Sequence, residues 1–127
     1  MWRILLRVVV VLLVVQGLLT FAIAPVILPR LSKDLLAFAQ HGFAFVFLAL
    51  LNLVMWQVPD RTIVLRYVVH GCNVVFFAFN LLFSFVNPEA PTFISTGILL
   101  LLAFLALGMD WTHRRELLRP VLPAEIH

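Results

Sequence analysis

Charged residues and cysteine are both scarce in this sequence. Asp, Glu, Lys and Arg make up 12% of the 127 residues, about half of their share in soluble domains, and the mean hydropathy is +1.12. This composition excludes an ordinary soluble domain. The single cysteine, Cys72, cannot form a disulfide within the chain. No Cys/His motif indicates a zinc or iron–sulfur site, so no metal ligands are assigned.

The few charges fall in short clusters that separate four uncharged stretches, 8–29, 35–59, 67–88 and 90–109. Each stretch holds roughly 20–25 residues, the length that an α-helix needs to cross about 30 Å of hydrocarbon. The sequence therefore predicts an all-α integral membrane protein, with a single four-span domain over residues 1–127. The short connections predict an up-down-up-down four-helix bundle.

Prolines and capping residues set the predicted helix bounds. The expected helices are about 4–24, 35–58, 63–86 and 92–109, with a juxtamembrane tail over 110–127. Pro25 and Pro29 are expected to end the first helix and Pro59 the second, because proline removes a backbone donor and clashes with the preceding turn. Ser32 is the expected N-cap of the second helix.

The first apolar stretch has one alternative interpretation, a signal peptide. Residues 22–24, with the sequence Ala-Ile-Ala, resemble a cleavage site. The apolar run is longer than a usual signal core, however, and Pro25 would follow the cut directly. An uncleaved first transmembrane helix is therefore favoured.

The distribution of basic residues predicts the orientation. With four spans, the N-terminus, the second connection and the C-terminus share one side, which carries seven arginines against Arg30 and Lys33 on the other side. The seven are Arg3, Arg7, Arg61, Arg66, Arg114, Arg115 and Arg119. Because basic residues concentrate on the cytoplasmic side of membranes, both termini are expected in the cytoplasm. The expected location is a bacterial inner membrane.

Polar residues inside the spans are the only candidates for a functional site. On the third helix a single face carries Arg66, His70, Asn73, Phe77, Asn80, Ser84 and Asn87. On the second helix His41 and Asn52 share a face. Polar groups are costly in hydrocarbon, so these faces should turn inward. Depth along the helices pairs Asn52 with Asn73, near His70, and places His41 with Asn80 and Ser84. Thr20 of the first helix and Ser95 and Thr96 of the fourth are expected at the same level.

These polar residues have two interpretations. His41, His70, Asn80, Asn73 and Asn52 are candidate ligand-binding residues, or else they are interhelical hydrogen-bonding groups. A haem ligated by both histidines is disfavoured, because their predicted depths differ by roughly 12–20 Å. The second and third helices are rich in phenylalanine, and an aromatic groove between them would bind a lipid, a quinone or a pigment. Such a ligand is the alternative to haem.

No enzymatic motif is present, since the sequence has no intramembrane carboxylate pair, nucleophile elbow or phosphate loop. The basic residues are explained by membrane orientation, which argues against a nucleic-acid partner. In the number and length of its apolar segments the chain is similar to small four-span families such as the DoxX-like proteins. That similarity is one of layout and assigns no residue roles.

Two classes of function are therefore predicted. The first is a small non-catalytic subunit that packs against and stabilises a larger membrane complex, of respiratory or photosynthetic type, or a homo-oligomer, with membrane lipids as its surroundings. The alternative is a binding protein for a lipid, quinone or pigment, or a proton-handling or transport bundle that uses intramembrane His and Asn.

Overall fold

The computed structural model describes residues 1–27, 30–58 and 61–118. Nearly all of these residues belong to four helices, α1 (Trp2–Ile27), α2 (Lys33–Gln57), α3 (Ile63–Val86) and α4 (Ala90–Leu118). No strand occurs among the described residues, and the prediction of an all-α protein is confirmed. Each helix is long and apolar enough to cross a membrane, which is consistent with an integral membrane protein.

Side-chain caps begin two of the helices. The hydroxyl of Ser32 accepts a hydrogen bond from the backbone N–H of Leu35 at 3.2 Å, which confirms the predicted cap of α2. Thr62 caps α3 in the same way through the N–H of Leu65, also at 3.2 Å. Both caps satisfy backbone donors that the first turn of a helix leaves unpaired.

Two helix ends differ from the prediction. Pro25 lies inside α1, which continues to Ile27, because a proline this close to the end removes only one backbone hydrogen bond. The fourth helix does not end at Met109 but continues to Leu118, since neither proline nor glycine interrupts that stretch. Pro29, Pro59 and residues 119–127 of the predicted tail lie outside the described residues.

The apolar core is formed mainly by α1, α2 and α4. Its buried members are Leu6, Val9, Val10, Leu13, Phe45, Leu48, Ala49, Leu99, Leu102, Leu105 and Met109. Helix α3 contributes mostly polar groups to the interior, because three of its four buried residues are Asn73, Asn80 and Ser84. The attachment of α3 to the bundle therefore depends on hydrogen bonds more than that of the other helices.

Helix α1 packs most extensively against α2, whereas the contact between α2 and α3 is much smaller. The α1–α2 crossing is a backbone contact between two glycines. A Cβ on Gly17 would lie 2.6 Å from the carbonyl oxygen of Gly42, and a Cβ on Gly42 would lie 2.6 Å from that of Gly17. Only glycine fits at either position, because this separation is shorter than any ordinary Cβ contact.

The exterior is apolar along all four helices. Nine of the twelve phenylalanines are exposed. They are Phe21, Phe38, Phe43, Phe47, Phe79, Phe83, Phe85, Phe93 and Phe104. An apolar surface this extensive requires lipid or another protein around it.

Candidate functional site

The inner polar layer is a reciprocal pair of amides between α2 and α3. Asn52 donates from Nδ2 to Oδ1 of Asn73 at 2.7 Å, and Asn73 donates back to Oδ1 of Asn52 at 2.9 Å. Asn52 Nδ2 also donates to the carbonyl of Leu48 at 2.9 Å. Both side chains are fully buried. The predicted pairing of Asn52 with Asn73 is confirmed. The two amides form hydrogen bonds with each other.

Replacing Asn52 by Leu should lower the free energy of unfolding by about 1–2 kcal/mol, because the buried Asn73 amide then loses both of its bonds. The double variant N52L/N73L should regain part of this loss, since it leaves no unpaired amide. Unfolding by denaturing detergent in mixed micelles, followed by tryptophan fluorescence, measures both effects. A double variant that loses the sum of the two single losses would show that the pair is not coupled.

The outer polar layer consists of hydrogen bonds between α3 and α4; the prediction had grouped Asn80 and Ser84 with Thr96 of α4 and also with His41 of α2. Asn80 donates from Nδ2 to the hydroxyl of Thr96 at 2.8 Å. That hydroxyl lies 2.8 Å from the hydroxyl of Ser84, which donates to the carbonyl of Asn80 at 2.9 Å. Oδ1 of Asn80 has no hydrogen-bond partner among the described residues.

His41 lies at the edge of this network, on the exposed side of α2, with its side chain directed to that of Asn80. Its ring packs edge-on against Phe45, with centroids 4.5 Å apart, and 6.0 Å from the ring of Phe83 on α3. His41 and Asn80 nevertheless line the same cavity, an open groove of about 470 Å³ between α2 and α3. The structure thus brings these two predicted residues to one surface.

This α2–α3 groove is largely aromatic. Its lining residues are Ala37, Gln40, His41, Ala44 and Phe45 of α2, and Val75, Phe76, Phe79, Asn80 and Phe83 of α3. The groove lies on the His41 side of the Asn52–Asn73 contact between the two helices. The exposed side chains of Gln40 and His41 form its polar rim.

His70 was predicted to belong to the layer of Asn52 and Asn73. In the structure it faces a carboxylate instead. Its Nε2 lies 3.6 Å from Oδ2 of Asp110 on α4. Nε of Arg66 lies 3.4 Å from the other carboxylate oxygen, and Nε of Arg114 lies 3.6 Å from Oδ2. The Asp110 side chain is only 9% exposed, so this is a nearly buried charge cluster.

Asp110 is the interior residue that sequence reasoning missed, because it was placed beyond the end of the fourth span. The positions of Arg66 and His70 in the sequence could have indicated this buried carboxylate. They lie four residues apart on one face of α3, where two cationic or titratable groups favour a nearby carboxylate. Within the described residues, no group of three or more His, Cys, Asp and Glu is arranged to hold a metal ion.

His41 and His70 lie in opposite halves of the bundle. His41 lies beside Phe83 and His70 beside Asp110. Because Phe83 and His70 are separated by thirteen residues of α3, the two sites are roughly 20 Å apart along the helix. One iron cannot bind both side chains within a single chain.

A second groove, of about 560 Å³, opens between α1 and α2 at the end of the bundle that holds Asp110. Its mouth is basic, since Arg3, Arg7 and Arg61 line it beside Trp56. The guanidinium carbon of Arg61 lies 4.0 Å from the centroid of the Trp56 ring, a cation–π contact. Burial lowers the pKa of Arg61, the carboxylate of Asp110 opposes this shift, and the charges of Arg66 and Arg3 add to it.

The chain matches no protein-family model, and comparisons with curated proteins and with solved structures give no significant match. The layout shared with DoxX-like proteins is therefore not accompanied by a match in sequence or structure.

Proposed function

We propose that this chain is a non-catalytic subunit of a larger membrane complex and that a transmembrane segment of a different protein packs into the α2–α3 groove. The chain would span a bacterial inner membrane as an up-down-up-down bundle with both termini in the cytoplasm. The grouping of Arg3, Arg7, Arg61, Arg66 and Arg114 around one end supports that orientation.

The observation that carries the proposal is the exposure of Gln40 and His41 near the middle of a span. They lie four and five residues before Phe45, the midpoint of α2, or about 6–8 Å from it. The hydrocarbon core extends about 15 Å from its centre. Exposed amide and imidazole groups at this depth cost several kcal/mol unless a partner covers them.

The groove beside Gln40 and His41 has a lining that fits a transmembrane helix of another protein. The groove is bordered by Phe45, Phe79 and Phe83, and its lining includes the side chain of Asn80. An apolar helix that carries one hydroxyl or amide would fill the groove and pair with the rim, as polar groups do between membrane helices. The side chains of Asn52 and Asn73 bond to each other, which supports a structural rather than a catalytic role for these two amides.

Blocking the groove should release the partner. Ala44 lines the groove and is partly exposed, so Ala44→Trp should fill it without disturbing the core. We expect native gels in mild detergent to show the wild-type chain in a complex much larger than 14.4 kDa and A44W mostly outside it. Leu101→Trp, at an exposed site on α4, is the matched control and should leave the complex intact.

Photo-crosslinking identifies what occupies the groove. A crosslinking residue at Phe79, which is exposed in the groove, should attach to a peptide of another protein, whereas one at Leu101 should not. A wild-type chain that is a stable monomer would contradict the proposal. A crosslinked peptide from this same sequence would replace it with a homo-oligomer.

A further inference from the structure

The α1–α2 groove has two different halves. Its inner part is lined by aliphatic side chains that include Val11 and Val15 of α1 and Leu50 of α2, while Arg3, Arg7 and Arg61 surround its mouth. The distance along α1 from Arg7 to Val15 is about 12 Å. A groove with a cationic mouth and an aliphatic floor matches an amphiphile that has an anionic head.

The arginines at this mouth lack anionic partners. The carboxylate of Asp110 is shared by Arg66, His70 and Arg114, whereas Arg3, Arg7 and Arg61 form no ion pair among the described residues. Nε and Nη1 of Arg61 are buried and unpartnered there. Buried guanidinium donors favour an oxyanion such as a phosphate, which accepts several of their hydrogen bonds.

Trp56 adds a further donor at the same place. Its indole Nε1 is buried and has no hydrogen-bond partner among the described residues, while its ring holds Arg61 by the cation–π contact. Tryptophan is typical of the headgroup level of a membrane, where one edge of the ring is apolar and the other polar. The groove mouth therefore has the composition of a headgroup site.

We propose that the α1–α2 groove binds an anionic phospholipid of the surrounding membrane, with its phosphate at Arg3, Arg7 and Arg61 and one acyl chain along Val11, Val15 and Leu50. The inference depends on the proposed membrane insertion but not on the proposed protein partner. Basic pockets between transmembrane helices at the cytoplasmic side recognise such headgroups in the same way.

Three ligands test whether the groove requires an anionic lipid rather than any phospholipid or phosphate alone. The protein purified in a non-ionic detergent is mixed with phosphatidylglycerol, phosphatidylcholine or inorganic phosphate, and adducts are counted by native mass spectrometry alongside the thermal midpoint. We expect phosphatidylglycerol to remain as a single adduct and to raise the midpoint, with little effect of the other two. Equal retention of phosphatidylcholine, or equal protection by inorganic phosphate, would overturn the proposal.

Matched variants test the headgroup end. The double variant R7Q/R61Q should weaken phosphatidylglycerol binding roughly 10–30-fold, since each basic residue contributes about 1 kcal/mol. The control R30Q/K33Q removes the same charge from exposed positions before and at the start of α2, and its affinity should stay near wild type. Equal weakening by both double variants would reduce the effect to net charge and refute a defined site.

The acyl end has its own pair of variants. Val11→Trp should fill the groove and weaken phosphatidylglycerol binding at least tenfold, whereas Leu12→Trp, at an exposed neighbouring position that does not line the groove, should not. An unchanged affinity in V11W would place the lipid elsewhere. A44W, which blocks the other groove, should bind phosphatidylglycerol normally, so failure of this proposal is distinguishable from failure of the partner proposal.

Discussion

Replacing Asp110 by Ala is expected to lower the free energy of unfolding by about 3–5 kcal/mol, because removing one member of a buried ion pair leaves its partners charged and uncompensated. Arg66, whose side chain is 15% exposed, and His70 at 16% both face the carboxylate. Arg114, at 55%, can turn to solvent and contributes little. Most of the decrease in the free energy of unfolding should therefore come from the uncompensated charge of Arg66.

A charge-matched control separates this effect from the overall loss of an acid. Glu116 lies on the same helix and is exposed, so Glu116→Ala should change stability by about 0.5 kcal/mol or less. The double variant D110L/R66M should recover part of the loss, since apolar replacement of both charges removes the unpaired guanidinium. An Asp110→Ala variant within about 1 kcal/mol of wild type would mean that water, not protein, surrounds this cluster.

Gly42→Ala and Gly71→Ala should change stability in opposite directions although the substitution is the same. At Gly42 the new methyl group meets the carbonyl of Gly17 at 2.6 Å and the backbone nitrogen of Phe21 at 3.0 Å. Neither is a side chain that can move aside, so α1 and α2 must separate. We expect a loss of about 2–3 kcal/mol, the usual cost of overpacking against a rigid neighbour.

At Gly71 nothing lies within 4 Å of the added atom. Alanine there should stabilise the protein by about 0.5–1 kcal/mol, because glycine in a helix interior has more conformational freedom to lose on folding. Parallel unfolding curves of both variants measure the two changes. The same sign for both would mean that the α1–α2 contact can accommodate a methyl group at Gly42.

The spans and the amide pair could be predicted from sequence because each depends on distance along a single helix. The spacing of charges located four helices of about the right length, and counting residues from each end brought Asn52 level with Asn73. Ser32 was predicted as a cap because its side chain acts on the turn that follows it. These features need no knowledge of which helices are neighbours.

Other contacts could not be predicted, since they depend on which helix faces which. Asn80 was expected at the same level as His41 of α2 and Thr96 of α4, but counting residues along each helix could not show that its hydrogen bond goes to Thr96. Gly17 and Gly42 are unremarkable in their own helices, and only the crossing of α1 and α2 makes them necessary. Asp110 was assigned to the juxtamembrane tail because a charge after an apolar run usually marks the end of a span.

The reciprocal bonding of Asn52 and Asn73 also fixes the register of α3 against α2. A slide of α3 by one residue moves its side chains about 1.5 Å along the axis and 100° around it, which breaks both bonds at once. The aliphatic side chains around the pair would tolerate several alternative alignments, but the two amides accept one. Their larger contribution is thus to the uniqueness of the packing, as with single polar residues in coiled-coil interfaces.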